Sequence, residues 1–303
     1  MDLKPRVQTL YQRIESCDLC PHACGVNRLE HERGLCNNKD AAIVGSFGCH
    51  YGEESPLVGQ RGSGTIFFSN CNVRCVFCQN WDIAHQGIGH HVTDQELANM
   101  MLRLQDKGAH NINLVTPTHV VHNIINAIDI AKEKGLNIPI CYNTSGYESK
   151  QTLELLEGII DIYLVDMKFA EGTHARRYTE TNAHDYPSIV KEAVKTMQRQ
   201  VGRLKTTNQG IAQKGLMIRH LILPNNVSGT NDIIQWISQN LPLDTYVNLM
   251  AQYRPCYKAK KYPDISRPID KGTFVDAVSY ALALGLTNVD SDTLSQYAMH
   301  TRH

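Results

Sequence analysis

Thr65-Ile-Phe-Phe-Ser69-Asn-Cys71-Asn-Val-Arg-Cys75-Val-Phe-Cys78-Gln-Asn-Trp81 is the stretch on which the reading of this chain turns. Its first five residues are short, apolar and rich in β-branched and aromatic side chains, the composition of a buried strand. They run directly into a loop with three cysteines spaced Cys-x3-Cys-x2-Cys. Iron–sulfur cubanes are normally held by four protein thiolates. Three thiolates on one tight loop point to a cluster with one iron left open, and an open coordination position is what distinguishes catalytic from structural metal sites.

Downstream the texture repeats. Short apolar runs alternate with longer helical patterns, as expected of βα units on a parallel sheet. Strands are predicted at Thr65–Ser69, Asn111–Val115, Ile138–Tyr142, Ile160–Asp166, Gly215–Leu221 and Tyr246–Met250, with a shorter one at Thr287–Asp290. Helices are predicted at Thr93–Lys107, Val120–Lys134, Ser149–Leu156, Tyr186–Val201, Gly229–Gln239 and Lys271–Leu284. Asp161-Ile-Tyr-Leu-Val-Asp166 is almost continuously apolar, as a buried parallel strand should be. Thr93-Asp-Gln-Glu96 reads as a capping box, and Gly108 and Gly135 stand where C-cap glycines belong. Six βα units are fewer than the eight of a closed barrel. The expected fold is therefore α/β, either a partial, open barrel or a doubly wound sheet, with ligands at the carboxyl ends of the strands in both cases. Residues 1–60 read as an irregular Cys-rich extension, and residues 61–303 as the barrel domain.

Composition excludes several function classes. The 303 residues carry 30 basic and 30 acidic side chains, for a formal net charge of zero. No long block of like charge advertises nucleic acid or an anionic membrane as a partner. No apolar run approaches the roughly 18 residues of a membrane span, and Met-Asp-Leu-Lys-Pro-Arg leads into no apolar signal region. Seven of the ten cysteines fall in two short-spaced clusters. That spacing suggests metal binding in a reducing cytoplasm, not disulfides.

Polar residues recur where the predicted strands end: Thr116-Pro-Thr-His119, Asn143-Thr-Ser-Gly-Tyr147, Asp166-Met-Lys168, Arg219-His220 and Ala251-Gln-Tyr-Arg-Pro255. With the Cys71/Cys75/Cys78 loop and the aromatic Phe77 before its last cysteine, this pattern resembles the radical S-adenosylmethionine (SAM) superfamily over about Thr65–Ala251. Within it, Asn113-Leu-Val-Thr-Pro-Thr-His119, Tyr142-Asn-Thr-Ser-Gly-Tyr147, Asp166-Met-Lys168 and Arg219-His-Leu-Ile-Leu-Pro224 are similar to the pyruvate formate-lyase activating enzyme-like branch. The resemblance implies a partial (βα)6 TIM-like barrel and a 4Fe–4S cluster on Cys71, Cys75 and Cys78. It further implies SAM on the open iron, cleaved to a 5′-deoxyadenosyl radical that abstracts a hydrogen atom from the substrate. Flavodoxin or ferredoxin is implied as electron donor, and a glycyl radical enzyme as a partner.

The resemblance also implies residue roles. Thr116, Pro117 and Thr118 occupy the place of a Gly-Gly-Glu-like turn that contacts the cosubstrate's amino group. The acidic residue is absent here, so hydroxyls, backbone carbonyls or His119 would make that contact. Asn143 and Ser145 would lie near the ribose or carboxylate, Asp166 and Lys168 match an Asp-x-Lys element near the cosubstrate, and Arg219 and His220 would face the same cavity. Phe77 joins this cosubstrate-binding set.

Other readings stay open. The enzyme could act on a small molecule or another protein, or the chain could be a non-enzymatic two-cluster electron-transfer protein. Cys17, Cys20, Cys24 and Cys36 form a four-thiolate set that suits zinc or a second iron–sulfur cluster equally, with Cys49 as a competing ligand and a zinc-ribbon interaction module as a third reading. Cys141 reads as a core residue, and Cys256 as either. His85, His90, His91 and His122 read as surface residues, and Trp81 as a hydrophobic wall over the cluster. Gly59-Gln-Arg-Gly62-Ser-Gly64 lacks a P-loop ending and reads as a tight turn.

Overall fold

The computed structural model describes residues 2–301. In chain order it begins with α1 (Lys4–Gln12), β1 (Ala42–His50), the short α2 (Ser55–Val58) and β2 (Ser63–Phe68). The cysteine loop then leads to α3 (Trp81–Gln86), β3 (His90–Val92) and α4 (Asp94–Asp106). Three βα units follow: β4 (Ile112–Val115) with α5 (Val121–Glu133), β5 (Ile140–Thr144) with α6 (Lys150–Leu156), and β6 (Ile162–Asp166) with α7 (Gly172–Tyr178) and α8 (Tyr186–Val201). The remainder comprises β7 (Lys205–Thr206), β8 (Ala212–Leu221), α9 (Thr230–Asn240), β9 (Tyr246–Met250), α10 (Lys271–Ala283) and α11 (Ser291–Thr301).

β2, β4, β5, β6, β8 and β9 pair in that order, every neighbour parallel. The order never reverses, so no topological switch point of a doubly wound sheet exists. The result is the partial (βα)6 barrel, with β1 and β3 added antiparallel at one edge and β7 at β8. Strand pleating decides which side chains enter the barrel. A small internal core of Leu57, Cys141, Ile162, Leu164, Met217 and Tyr246 fills its base. The alternate residues Tyr142, Tyr163, Val165, Ile218 and Val247 face the much larger core shared with the helices.

The six longest predicted helices and the six main strands are present. β5 begins at Ile140, two residues later than expected, because Pro139 has no N–H for the ladder. The predicted strand at Thr287–Asp290 shrinks to one parallel bridge between Val247 and Val289. The Thr93 capping box forms, with Thr93 N–H donating to Glu96 Oε2 at 2.8 Å and Glu96 N–H to Thr93 Oγ1 at 3.2 Å. Residues 1–60 differ from the expected irregular chain, for they contain α1 and β1, and β1 pairs with β2.

The segment between α1 and β1 lies against the strand ends. Leu19 O accepts from Thr152 Oγ1 at 2.7 Å, His22 Nε2 donates to Asn72 O at 2.7 Å, and Asn70 Nδ2 donates to Asn38 Oδ1 at 3.1 Å. Among the described residues, no helix is long and apolar enough to cross a membrane.

Candidate active site

At the carboxyl end of β2 the chain turns sharply, with Asn70 at φ 71° and Arg74 at φ 52°. Left-handed backbone is common for Asn and uncommon for Arg. The turn lets Cys71 Sγ accept from the backbone N–H groups of Val73 (3.3 Å) and Arg74 (3.5 Å). Neighbouring backbone pins the loop on two sides. Val76 N–H donates to Tyr178 O, Glu180 N–H to Arg74 O, and Lys258 N–H to Val76 O, each at 2.9 Å. His85 Nε2 donates to Cys75 O at 3.0 Å while its Nδ1 lies 3.1 Å from Glu180 Oε2. His119 Nε2 donates to Ser69 O at 2.7 Å.

Cys71, Cys75 and Cys78 line one wall of a cavity whose other walls carry Thr116, Asn143, Ser145, Asp166, Lys168 and Arg219. Burial pushes the Cys75 thiol well up and the Cys78 thiol to about 12, and the neighbouring thiols add to both shifts. Buried thiols in such surroundings stay protonated unless a metal cation reverses the balance. Among the described residues, no three Cys, His, Asp or Glu side chains converge as ligands of one metal ion. A cubane attaches each thiolate to a different iron, so its ligands need only surround a shared volume, as these three thiols do. The cavity measures about 160 Å³, below the roughly 300 Å³ of ordinary small-molecule pockets, so a cluster and cosubstrate together would widen it.

Facing the thiols is a charged group. Asp166 lies 2.6 Å from Lys168 Nζ and 2.7 Å from Arg219 Nε, and Arg219 Nη2 donates to Asn143 Oδ1 at 2.7 Å. Burial alone would raise the Asp166 carboxyl, but Arg219 and Lys168 outweigh it and hold it at about 2. Burial would likewise lower Lys168, yet Asp166 raises it above the ordinary lysine value. All three are charged at neutral pH. Tyr186 braces the group, its hydroxyl donating to Ser145 O at 2.7 Å and accepting from Lys168 N–H at 3.1 Å. Two polar atoms at the cavity are buried without partners, Ser145 Oγ and Arg74 Nη1. Thr116, β-branched, sits at φ 60°. Such an outlier persists only where its surroundings hold it.

Of the expected cosubstrate contacts, Thr116, Asn143, Ser145, Asp166, Lys168 and Arg219 line this cavity, and five others do not. His220 follows Arg219 on the same strand, so pleating turns it outward, where it meets Met167 O at 2.6 Å and Thr230 Oγ1 at 2.9 Å. Burial lowers it to about 4. His119 is also held neutral by burial, at about 4, and supports the β2 end through Ser69. Thr118 turns to Glu148 Oε1, and Pro117 opens the short 3-10 turn before α5. Phe77 packs edge-on against Phe169 and Tyr253. His85 and His122, expected at the surface, are buried; His122 Nε2 donates to Asp40 O at 2.7 Å. Trp81 is partly exposed and stacks on Tyr257.

Sequence reasoning missed Glu53 and Glu54, which follow β1 and reach Arg219 at 3.3 and 4.0 Å. No local pattern marks them, because their partner is far away in the chain. Parity along β8, by contrast, was a readable signal that Arg219 and His220 face opposite ways.

A buried arginine lies beside two members of the second cysteine set, Cys17 and Cys36. Burial pushes the Cys20 thiol up, and the thiols of Cys36, Cys17 and Cys24 lie near enough to raise it further. Arg28, fully buried, donates from Nε to Lys39 O at 2.8 Å and places Nη1 3.9 Å from Cys17 Sγ. Leu35 N–H donates to Cys24 Sγ at 3.4 Å. Cys49 pairs with Gly64 at the opposite end of β2 from the 71–78 loop, and Cys141 is core, as expected.

The radical SAM superfamily model matches residues 65–211. An uncharacterized protein of Methanocaldococcus jannaschii is 35% identical over 277 residues, covering 88% of this chain and 74% of that protein. The pyruvate formate-lyase-activating enzyme of Clostridium pasteurianum is 25% identical over 194 residues, covering 61% of this chain and 72% of that one. The crystal structure of methylornithine synthase aligns at 15% identity with a TM-score of 0.49, covering 76% of this chain and 66% of that one. Residues 65–211 are a radical SAM superfamily domain, and that family implies a 4Fe–4S cluster and SAM.

Proposed function

We propose that Cys71, Cys75 and Cys78 hold the 4Fe–4S cluster and that SAM binds beside it, against Asn143, Ser145, Asp166, Lys168 and Arg219. When bound, the cluster supplies the electron that cleaves the cosubstrate's carbon–sulfur bond to methionine and a 5′-deoxyadenosyl radical, which takes a hydrogen atom from the substrate. The protein's share is positioning and exclusion of water. The loop is pinned by backbone bonds from segments 178–180 and 258. Ser145 Oγ and Arg74 Nη1 offer unused hydrogen-bonding capacity at the cavity. Asp166, Lys168 and Arg219 form a charged wall in which one carboxylate sits between two cations.

The observation carrying this reading is the single cavity shared by three thiols and that charged wall. Anaerobic reconstitution with iron and sulfide, then reduction in the presence of SAM, should yield 5′-deoxyadenosine. Formation that survives replacement of all three cysteines by alanine refutes the assignment.

A flavodoxin- or ferredoxin-like donor would supply the electron in a reducing cytoplasm. The relative named pyruvate formate-lyase-activating enzyme supports a glycyl radical enzyme as the target. Cys17, Cys20, Cys24 and Cys36, in the 1–60 extension, would hold a second metal centre. Arg28 supports this: a buried guanidinium with no carboxylate partner among the described residues is costly, and metal-bound thiolates would supply the missing negative charge. Metal analysis of the purified protein separates zinc from iron at that set.

A further inference from the structure

A second cavity, of about 270 Å³, opens on the other side of Arg219. Arg219 alone is shared with the cysteine cavity, since Glu53, Glu54, Asn248, Gln252, Asp292 and Gln296 line only the second. Its charges do not balance. Three carboxylates, Glu54 buried and Asp166 and Glu53 partly buried, surround two cations, Lys168 and Arg219. Lys168 is committed to Asp166. Arg219 is engaged at each of its three nitrogens: Nε on Asp166, Nη2 on Asn143 and Nη1 on Glu53. Glu54, at 4.0 Å from Nε, receives no hydrogen bond from it.

Glu54 is therefore the odd member. It is 5% exposed, its Oε1 accepts from Asn248 Nδ2 at 3.0 Å, and its Oε2 has no partner. A buried carboxylate oxygen without a donor is expensive to keep. The other acids do not share this condition. Asp290 caps α11, accepting from Tyr246 OH and from the N–H groups of Asp292 and Thr293, and Asp292 is exposed. Glu53 has Arg219 on one oxygen and the half-exposed His50 at 3.7 Å from the other.

We propose that this cavity is the substrate-side pocket of the radical enzyme and that it takes a cationic group of the substrate, a primary ammonium or guanidinium, which pairs with Glu54. The amides of Asn248, Gln252 and Gln296 serve the polar atoms around that group. Arg219, being common to both cavities, places the bound group one side chain away from the cosubstrate. The proposal rests on the radical SAM reading for its meaning as a substrate site. The cation can belong to a small amine or to a lysine or arginine side chain of a polypeptide.

The test is isothermal titration calorimetry of the anaerobically reconstituted full chain with three probes: agmatine, the blocked tripeptide Gly-Arg-Gly, and glutarate as an anion of similar size. At least one cation should bind saturably and glutarate should not. Glu54→Gln, which keeps an oxygen for Asn248, should weaken cation binding at least tenfold, whereas Glu54→Asp should retain part of it and show that loss follows charge, not misfolding. Tighter binding of agmatine assigns a small-molecule source, and tighter binding of the tripeptide a polypeptide source. The proposal is overturned if neither cation binds, if glutarate binds as well as they do, or if Glu54→Gln binds like the parent. 5′-Deoxyadenosine formation is read in the same preparation. A protein that makes it but binds no cation loses this proposal alone, and one that fails to make it loses the radical reading.

Discussion

The two cysteine regions of this molecule are held in place by different means. The 71–78 loop follows a buried strand, and backbone hydrogen bonds from segments 178–180 and 258 fix its course. The 17–36 segment has only a three-residue 3-10 turn, Arg28–Glu30, and leans on the barrel through side-chain bonds to Leu19 O and Asn72 O. A scaffold-built loop keeps its thiols in place whether or not metal is present. A segment with so little regular structure would gain from a staple, and a metal bound there would be part of its folding. On the proposed reading the same residue type would be catalytic in one place and architectural in the other.

The largest expected effect breaks the first half of that contrast. Cys75→Ala should reduce 5′-deoxyadenosine formation by at least about 10³-fold, or roughly 4 kcal/mol, while circular dichroism of the barrel stays unchanged. Next, replacing Cys17, Cys20, Cys24 and Cys36 together by serine should lower stability by about 3–5 kcal/mol, the cost of losing a metal or cross-link in a small region. The paramagnetic signal of the reduced 71–78 cluster should persist. Denaturant melts and electron paramagnetic resonance of the same sample check both halves, and loss of that signal would mean the two regions are not independent.

A third prediction concerns the scaffold itself. Glu148 is buried at the ends of β4 and β5, where Thr118 and Thr144 donate to its Oε1. Burial raises its carboxyl from 4.5 to about 7, against those hydrogen bonds. The folded state therefore holds this proton more tightly than the unfolded chain does. The stabilisation is complete below pH 4.5 and is lost as pH rises through 7, at most about 3 kcal/mol. Glu148→Gln should remove that part of the pH dependence in urea melts at pH 5 and pH 8. The smallest effect sharpens the contrast: Arg28→Met loses the hydrogen bonds to Lys39 O in either state, and should cost about 1–3 kcal/mol more in metal-loaded protein than after chelation if metal-bound thiolates pair with the guanidinium. Equal costs in the two states would make Arg28 a packing residue.

Legibility followed chain locality. The parallel strands and their helices carry their own periodicity, and the capping box and C-cap glycines mark their ends, so their existence was readable. β1 was not: Ala42-Ile-Val-Gly-Ser-Phe-Gly-Cys-His50 contains two glycines and lies at the antiparallel edge, where half-burial blurs the pattern. His85 looked exposed because of the polar, glycine-containing sequence around it, and His122 lies in an apolar helix, yet both donate to backbone carbonyls inside the fold. His220 was misplaced for want of a parity argument.

The sequence by itself determined that three thiolates sit on one loop after a strand and that polar groups end the strands that follow. Spacing along the chain is covalent and cannot be rearranged by packing. Only the tertiary structure decided that Glu53 and Glu54 meet Arg219, that Arg28 is buried beside Cys17 and Cys36, and that the buried Glu54 Oε2 has no partner. These meetings join residues far apart in the chain, and they form only when β1 and the segment after it close against the barrel.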